Sequence, residues 1–579
     1  MKLNKFKTIA PAAALLLSAS LSSCMADLDK GNIDPNVAHE ADLTGLYSKC
    51  YAGLIMEGND GNADFNINDG GKSTLIRNMY YFNELPTDES ICWWSDGGLA
   101  DISYNKYNAG TETLNYFYYR IMTNIAYENA YLNLDAAKED KTRYAEVRVI
   151  RAFHYLLLLD FWGDPAFSLE ASSKEPLQAH AYNENFEQGK AYTRPELLQM
   201  GREFLFKWVE KELLAAEPDL LPAKPETDND PDYGRVDKGA CWLLLSRLYL
   251  NAGTYLNNDG QDNPYWQQAL TYAEQTIAKY PLFDDSKMTD EARARGYQPY
   301  DLLFMGDNGS NGASCEAILP LLQDGITTQG WGGSVFYIAT SIDSETRTVT
   351  GQTFGTTYTD WSGMRVRPAF LTKFTPNPKN FQGKTAAEIR AMNIDDRALF
   401  WGAKSKTDDK HTLDLGNNDA FSSGICVVKW NNNYSNGGTP HDNAFADTDF
   451  FLFRVAEAYL NAAEAEMHIN INGEGSTKAK EWIDALRKRA HADVYASYTL
   501  NDVLDERARE LYCEGFRRTD LIRYNQYGGN KATYTWEYKG GSKKGTTFDK
   551  AKNLYPLPSS ELLANKNLTQ IDGYNEFNN

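Results

Sequence analysis

Two tryptophans stand side by side in the stretch NELPTDESICWWSDGG, Asn83 to Gly98, a polar run too rich in Gly and Asp for the middle of a core helix. The chemistry such a pair offers is recognition: an indole is a large apolar plate with one N–H donor, and an exposed plate marks a binding surface. Neighbouring residues point to opposite faces of a strand and lie about 100° apart on a helix, so one buried face does not easily take both rings. At least one of Trp93 and Trp94 is therefore expected near solvent, either as a binding platform or as the lid of a loop that the other ring anchors.

Patterns for bond-breaking chemistry are sparse. The seven histidines, at 39, 154, 180, 411, 441, 468 and 491, include no pair within one helical turn and no His-Glu-x-x-His, so no zinc-hydrolase site is visible. There is no Gly-x-Ser-x-Gly elbow, and Gly-Lys-Ser/Thr occurs at Gly71 and Gly383 without the leading glycine of a phosphate loop. DGNADFNINDGG, Asp60 to Gly71, is calcium-like at Asp60, Asn62 and Asp64, but the turn glycine is replaced by Phe65 and the closing glutamate by Gly71, as in a solvated polar loop. A glycosidase needs two carboxylates at a set separation; the 79 acidic residues supply many pairs and nothing selects one.

The chain opens MKLNKFKTIAPAAALLLSASLSSC: lysines, an apolar run from Ile9 to Leu21, then small residues, the pattern of a secretory signal peptide over residues 1–23. Leu21-Ser22-Ser23-Cys24 resembles a lipobox, in which the Cys24 thiol carries lipid and begins the mature chain. Acyl chains contribute about 0.8 kcal/mol per buried CH₂, enough in combination to hold a protein on a membrane without a spanning helix. Residues 24–40, acidic and broken by Pro and Gly, are expected to form the tether. The remaining cysteines, at 50, 92, 241, 315, 426 and 513, are scattered singly, neither a disulfide framework nor a zinc pattern. A net charge of −21 with no basic cluster makes nucleic acid and anionic headgroups poor partners. With 36 Tyr, 26 Phe and 12 Trp, the composition suits a folded acidic body that meets a neutral ligand.

Helical periodicity comes in pieces, at Glu146–Asp164, Arg235–Gly253, Phe451–Met467, Ala479–His491 and Val503–Tyr524, with small residues such as Ala456, Ala458, Ala462 and Ala463 that let helices approach. Between them residues 282–449 are rich in Gly, Thr, Asn and Asp and carry aromatics singly: Trp331, Phe336, Tyr337, Tyr358, Trp361, Trp401 and Trp430. A loop-rich lobe of that length inside a helical body is more often functional than idle. The expected organisation is one helical scaffold, residues 41–281 and 450–579, interrupted by an irregular binding lobe at 282–449.

EVRVIRAFHYLLLLDFWGDPAF, RVDKGACWLLLSRLYLNAG, FRVAEAYLNAAEAE, DALRKRA, LDERARELYCEGFRRTDLIRY and YPLPSSELLANKNLTQIDGY, in that order over nearly the whole chain, resemble the SusD/RagB family of surface glycan-binding lipoproteins. The resemblance implies a mainly α fold of tetratricopeptide-like helix pairs with a large irregular lobe and a few short strands. It also implies a non-catalytic protein that needs no cofactor, sits on the outer membrane facing outward, and covers a SusC-like, TonB-dependent β-barrel transporter to which it hands oligosaccharides.

NELPTDESICWWS, ILPLLQDGITTQGWGGSVF, DTDFFLFRVAEAYL and EGFRRTDLIR are similar to the starch-binding branch of the family in particular. There an arc of three aromatics cradles the α-glucan helix, which by resemblance falls here on Trp94, Trp331 and Trp361, with a sugar-binding arginine at Arg77. A binding asparagine has no counterpart: its position is Gly97, beside Asp96. On this reading Trp94 is a platform and Trp93, pointing the other way, packs the loop onto the body. Curved arcs favour curved α-1,4 chains over flat β-1,4 chains. The same branch has a structural calcium, for which Asp307, Asp447 and Asp449 are the candidate ligands, Gly309 standing where a further acid would be. The alternatives are a different polysaccharide on the same platform, a peptide-capturing lid, and a glycoside hydrolase.

Overall fold

The computed structural model describes residues 42–57, 70–173, 175–257, 259–357, 360–403, 411–416, 418, 420–470 and 476–574. Cys24 with the leader and tether of residues 1–40, residues 60–69 of the Asp60–Gly71 loop, and Tyr358 lie outside them. The chain divides into two compact units, Met1–Leu46 and Tyr47–Asn579, and the elements named below belong to the second.

Helices supply its frame. Leu75–Asn83 (α1), Glu112–Leu132 (α2), Lys141–Phe161 (α3), Arg194–Ala216 (α4), Lys238–Leu250 (α5) and Trp266–Ile277 (α6) come first, Ser334–Ala339 (α7) lies in the irregular lobe, and Val455–Ile469 (α8), Thr477–Arg489 (α9), Leu500–Leu511 (α10) and Arg517–Arg523 (α11) follow. Their starts are fixed locally. The Asp140 carboxylate accepts the Arg143 N–H at the head of α3, and Thr193 with Glu196 makes a reciprocal capping box for α4, with Pro195 in its first turn. α3 is buried on nearly every side and packs against both α2 and α4, so it reads as apolar all round. The alanines of α8 are buried and let it lie close against α6 and α9.

Two of the expected helices are corrected. Phe451–Met467 does not begin as a helix: Phe450–Arg454 is a strand, antiparallel to Ala317–Leu321, and α8 starts at Val455. Its residues are all buried, and a short apolar run buried on both faces is a pattern that helix and strand share. Val503–Tyr524 is two helices. Between α10 and α11 the chain turns through Cys513 and Gly515, at φ of 61° and 87°. Glu84 accepts the N–H groups of Gly515 and Phe516, and Glu89 that of Cys513, so carboxylates more than four hundred residues away take donors a continuous helix would use.

The strands are short: Ser90–Cys92 (β1), Ala317–Leu321 (β2), Met364–Val366 (β3), Phe400–Trp401 (β4), Ile425–Val427 (β5) and Phe450–Arg454 (β6). Four of them form an antiparallel sheet in the order β1-β3-β5-β4, which ties the segment before α2 to the irregular lobe. Under the lobe lies a buried ionic cluster: Glu506 and Glu510 of α10, Glu316 and Glu514 meet Arg397, Arg454, Arg487, Arg489 and Lys429. Cys92, Cys241, Cys315, Cys426 and Cys513 are free thiols, and among the described residues no helix is long and apolar enough to cross a membrane.

Candidate functional site

The pairing of β1 with β3 assembles the site. Antiparallel register sets Ile91 opposite Arg365 and Cys92 opposite Met364, so the residues following β1 meet those preceding β3. Trp93 and Trp94 thereby reach Trp361 and Ser362, some 270 positions away in sequence. Trp93 donates its indole N–H to the Ser362 carbonyl, and Trp94 donates to the Trp361 carbonyl at 3.2 Å. Trp361 is itself seated by its backbone N–H, which donates to the Ala339 carbonyl at the end of α7 at 2.7 Å.

Trp331 comes from the loop that leads into α7, and α1 holds that loop. Thr74, which precedes α1, donates to the Gly332 carbonyl at 3.1 Å, and a Cβ on Gly332 would come within 2.1 Å of the Thr74 side chain. The close approach therefore requires glycine. Arg77, one turn into α1, is buried; its Nε donates to the Tyr81 hydroxyl at 2.7 Å, and its guanidinium lies 4.8 Å from the Phe336 ring centroid and 5.8 Å from that of Trp94. A cation over aromatic faces fixes both partners, so Arg77 sets the wall on which Trp94 rests.

Arg77, Trp93, Trp94, Ser95, Asp96, Trp331 and Trp361 line one open cavity of about 470 Å³. All five of the expected glycan-contacting residues, Arg77, Trp94, Asp96, Trp331 and Trp361, are in this set. Trp93 is the correction. It is 37% exposed, more than Trp94, and it lines the same cavity instead of packing the loop onto the body. The alternation rule fails because β1 ends at Cys92: the chain beyond is not strand, and both rings turn to the cavity. Asp96 pairs with Lys72 at 2.9 Å at the cavity edge. Gly97 is at φ 37°, where a side chain is strained, and its carbonyl accepts from Thr113, so the turn carries the loop without a hydroxyl-binding amide.

Gly363 forms the floor beneath Trp94. A Cβ there would lie 2.6 Å from Trp94 Cζ2 and 3.0 Å from the Thr340 methyl. Gly363→Ala is expected to lift the Trp94 indole at an overpacking cost of about 1–3 kcal/mol, weakening ligand retention roughly tenfold while circular dichroism stays that of the folded protein. Unchanged retention would show that the position of Trp94 is immaterial.

Asp307, Asp447 and Asp449 meet around a second cavity of about 390 Å³. Protein donors already hold each carboxylate: Asp307 accepts from the Ser435 N–H and hydroxyl, Asp447 from the Tyr434 hydroxyl and His441 N–H, and Asp449 from the Gln323 N–H and Tyr233 hydroxyl, all at 2.7–2.9 Å. Burial, seconded by the charges of Asp228 and Asp447, outweighs the donors and pushes Asp449 up to about 7. As arranged, the three do not present the roughly six to eight oxygens that Ca²⁺ takes, and among the described residues no group of three or more His, Cys, Asp or Glu could hold a metal ion.

The chain and the fold that carry this cavity have relatives. A profile of the SusD family matches residues 283–574. Over 99% of its length the chain is 32% identical to the whole of the starch-binding protein SusD of Bacteroides thetaiotaomicron. The chain belongs to the SusD family. Its mainly α fold is that of solved SusD-like proteins: a SusD superfamily protein from Parabacteroides distasonis (TM-score 0.61, 19% identity, covering 93% of this chain and 100% of that one) and surface glycan-binding protein A from Bacteroides uniformis (TM-score 0.60, 18% identity, covering 91% and 98%). A laminarin-binding SusD-like protein aligns with a TM-score of 0.58 at 18% identity, covering 92% and 99%. SusD proteins bind carbohydrate without catalysing its breakdown, and the chain is not an enzyme.

Proposed function

We propose that the protein captures starch-derived α-1,4-glucans at the cell surface and passes them to a SusC-like, TonB-dependent barrel in the outer membrane, where lipid on Cys24 holds it. The observation that carries the reading is the cavity walled by Trp93, Trp94, Trp331 and Trp361. Pyranose rings offer apolar C–H faces to such plates, each contact worth roughly 0.5–1.5 kcal/mol beyond burial, and the contacts add along a polymer. Trp361 and Trp331 lie 5.8 Å apart at 45°, a bent surface that suits a curved chain. Likeness to a protein named for starch binding points the same way.

Affinity electrophoresis in gels containing amylopectin, pullulan, dextran, xylan or no glycan tests the reading. Retardation by amylopectin and pullulan, with none by xylan and no sugar released, is expected. Retardation by xylan alone would replace the α-glucan reading with capture of a flat β-linked chain. With their carboxylates already held by protein donors, Asp307, Asp447 and Asp449 are not proposed to hold structural calcium: millimolar Ca²⁺ should leave the melting temperature unchanged, and a rise would overturn this.

A further inference from the structure

The aromatic row does not end at Trp331. The Phe445 ring lies 4.7 Å from that of Trp331 at a tilt of 46°, close to the 45° between Trp331 and Trp361. Phe445 is half-buried and faces a further cavity, of about 450 Å³, lined also by Ile55, Glu57, Gln323, Thr328 and Gln329. That volume is within the range of about 300–1,000 Å³ typical of small-molecule sites. The wall between the two cavities is a single loop: Gln329 and Gly330 line this one, and Trp331, the next residue, lines the other. Glu57 fixes the wall, its carboxylate accepting the Trp331 N–H at 2.5 Å although the residue is only 8% exposed.

The lining is one carboxylate, two carboxamides, two threonine hydroxyls and one aromatic ring, with Ile55, Met56 and Ile326 as apolar faces between them. Carboxylates accept, amides both donate and accept, and hydroxyl groups of a neutral sugar can do either, so the wall suits an oligosaccharide better than an ion. We propose that this cavity is an outer subsite for the continuation of the same glucan chain, with Phe445 the step that carries it over Trp331 and Gln323 and Gln329 its hydroxyl contacts. The inference rests on the α-glucan reading of the first cavity and adds that the protein measures chain length: oligosaccharides that fill only the first cavity bind more weakly than those reaching the second.

Calorimetric titration of the full protein with maltotriose and with maltoheptaose tests this. Wild type is expected to bind maltoheptaose at least about tenfold more tightly, since the second contact is intramolecular. Gln329→Ala, which alters only the second cavity, should shrink that ratio and leave maltotriose binding unchanged, and Phe445→Ala should shrink it further. An unaltered ratio in both variants overturns the outer subsite while the first cavity stands. An equal loss for both sugars in both variants also overturns it, because the residues would then only prop Trp331. If wild type binds neither sugar, the α-glucan reading fails and the extension falls with it.

Discussion

Trp331→Ala is expected to reduce affinity for maltoheptaose by about thirtyfold or more, the roughly 2 kcal/mol that marks a hot-spot tryptophan, and to abolish retardation in amylopectin gels. Trp331 is the ring that both Trp361 and Phe445 contact, so truncating it removes one plate and leaves both neighbours without the face they pack on. The backbone around it should survive: the Glu57 contact is to the main-chain N–H, and Thr74 holds the next carbonyl. Trp331→Phe keeps a plate at that position and is expected to recover most of the affinity. Calorimetry reads the binding and thermal unfolding the fold. Affinity within threefold of wild type, with an unchanged melting temperature, would move the site elsewhere.

Legibility in the sequence followed the range of the forces involved. Periodicity placed α5 and α9 within about three residues at each end, where the caps at Asp237 and Ser476 are local, but missed the first turn of α3, which Asp140 caps. It merged α10 with α11, since the break depends on Glu84 and Glu89 far away in the chain. Adjacent tryptophans in a polar run announced exposed aromatic surface, and the family resemblance named Arg77, Trp331 and Trp361, which line the same open cavity. Which way Trp93 faces depended on where β1 stops, which no local rule gave. Phe445 was visible only as one aromatic in the acidic run HDNAFADTDF, and nothing local says that it packs on Trp331. The charged sequence of α10 does not say where its acids go; only the fold shows Glu506 and Glu510 buried against Arg397 and Arg454, from segments some 50 to 115 residues away.

Glu510 carries the largest expected effect on stability. It is fully buried on α10, and its carboxylate accepts from Arg454 Nη1 at 2.6 Å, Arg397 Nη1 at 3.1 Å, and Arg489. Burial alone would raise its pKa; the charges of Arg489, Arg454 and Arg397 overcome that and hold it well below the ordinary carboxylate value. At Glu506 the same contest, with Arg397, Arg509 and Arg487, ends at about 2. Glu510→Ala leaves these guanidiniums without a shared anion in a dry interior, and removing one partner of such a cluster costs about 3–5 kcal/mol, which a fall in urea midpoint would register. A carboxylate whose folded pKa is depressed contributes stability above its unfolded pKa, near 4.3, and loses that contribution as pH falls toward the folded value. Buried acids with raised pKa oppose it: burial pushes Glu84 to about 7, so its contribution is present at low pH and fades as pH rises from about 4.5 to 7. The wild-type pH curve mixes the two signs, whereas the difference between wild type and Glu510→Gln isolates one. That difference should be largest near neutrality and shrink steadily below about pH 4. If Glu510→Ala unfolds within 1 kcal/mol of wild type at pH 7, or the Glu510→Gln difference grows in acid, the cluster does not hold α10 to β6 through this carboxylate.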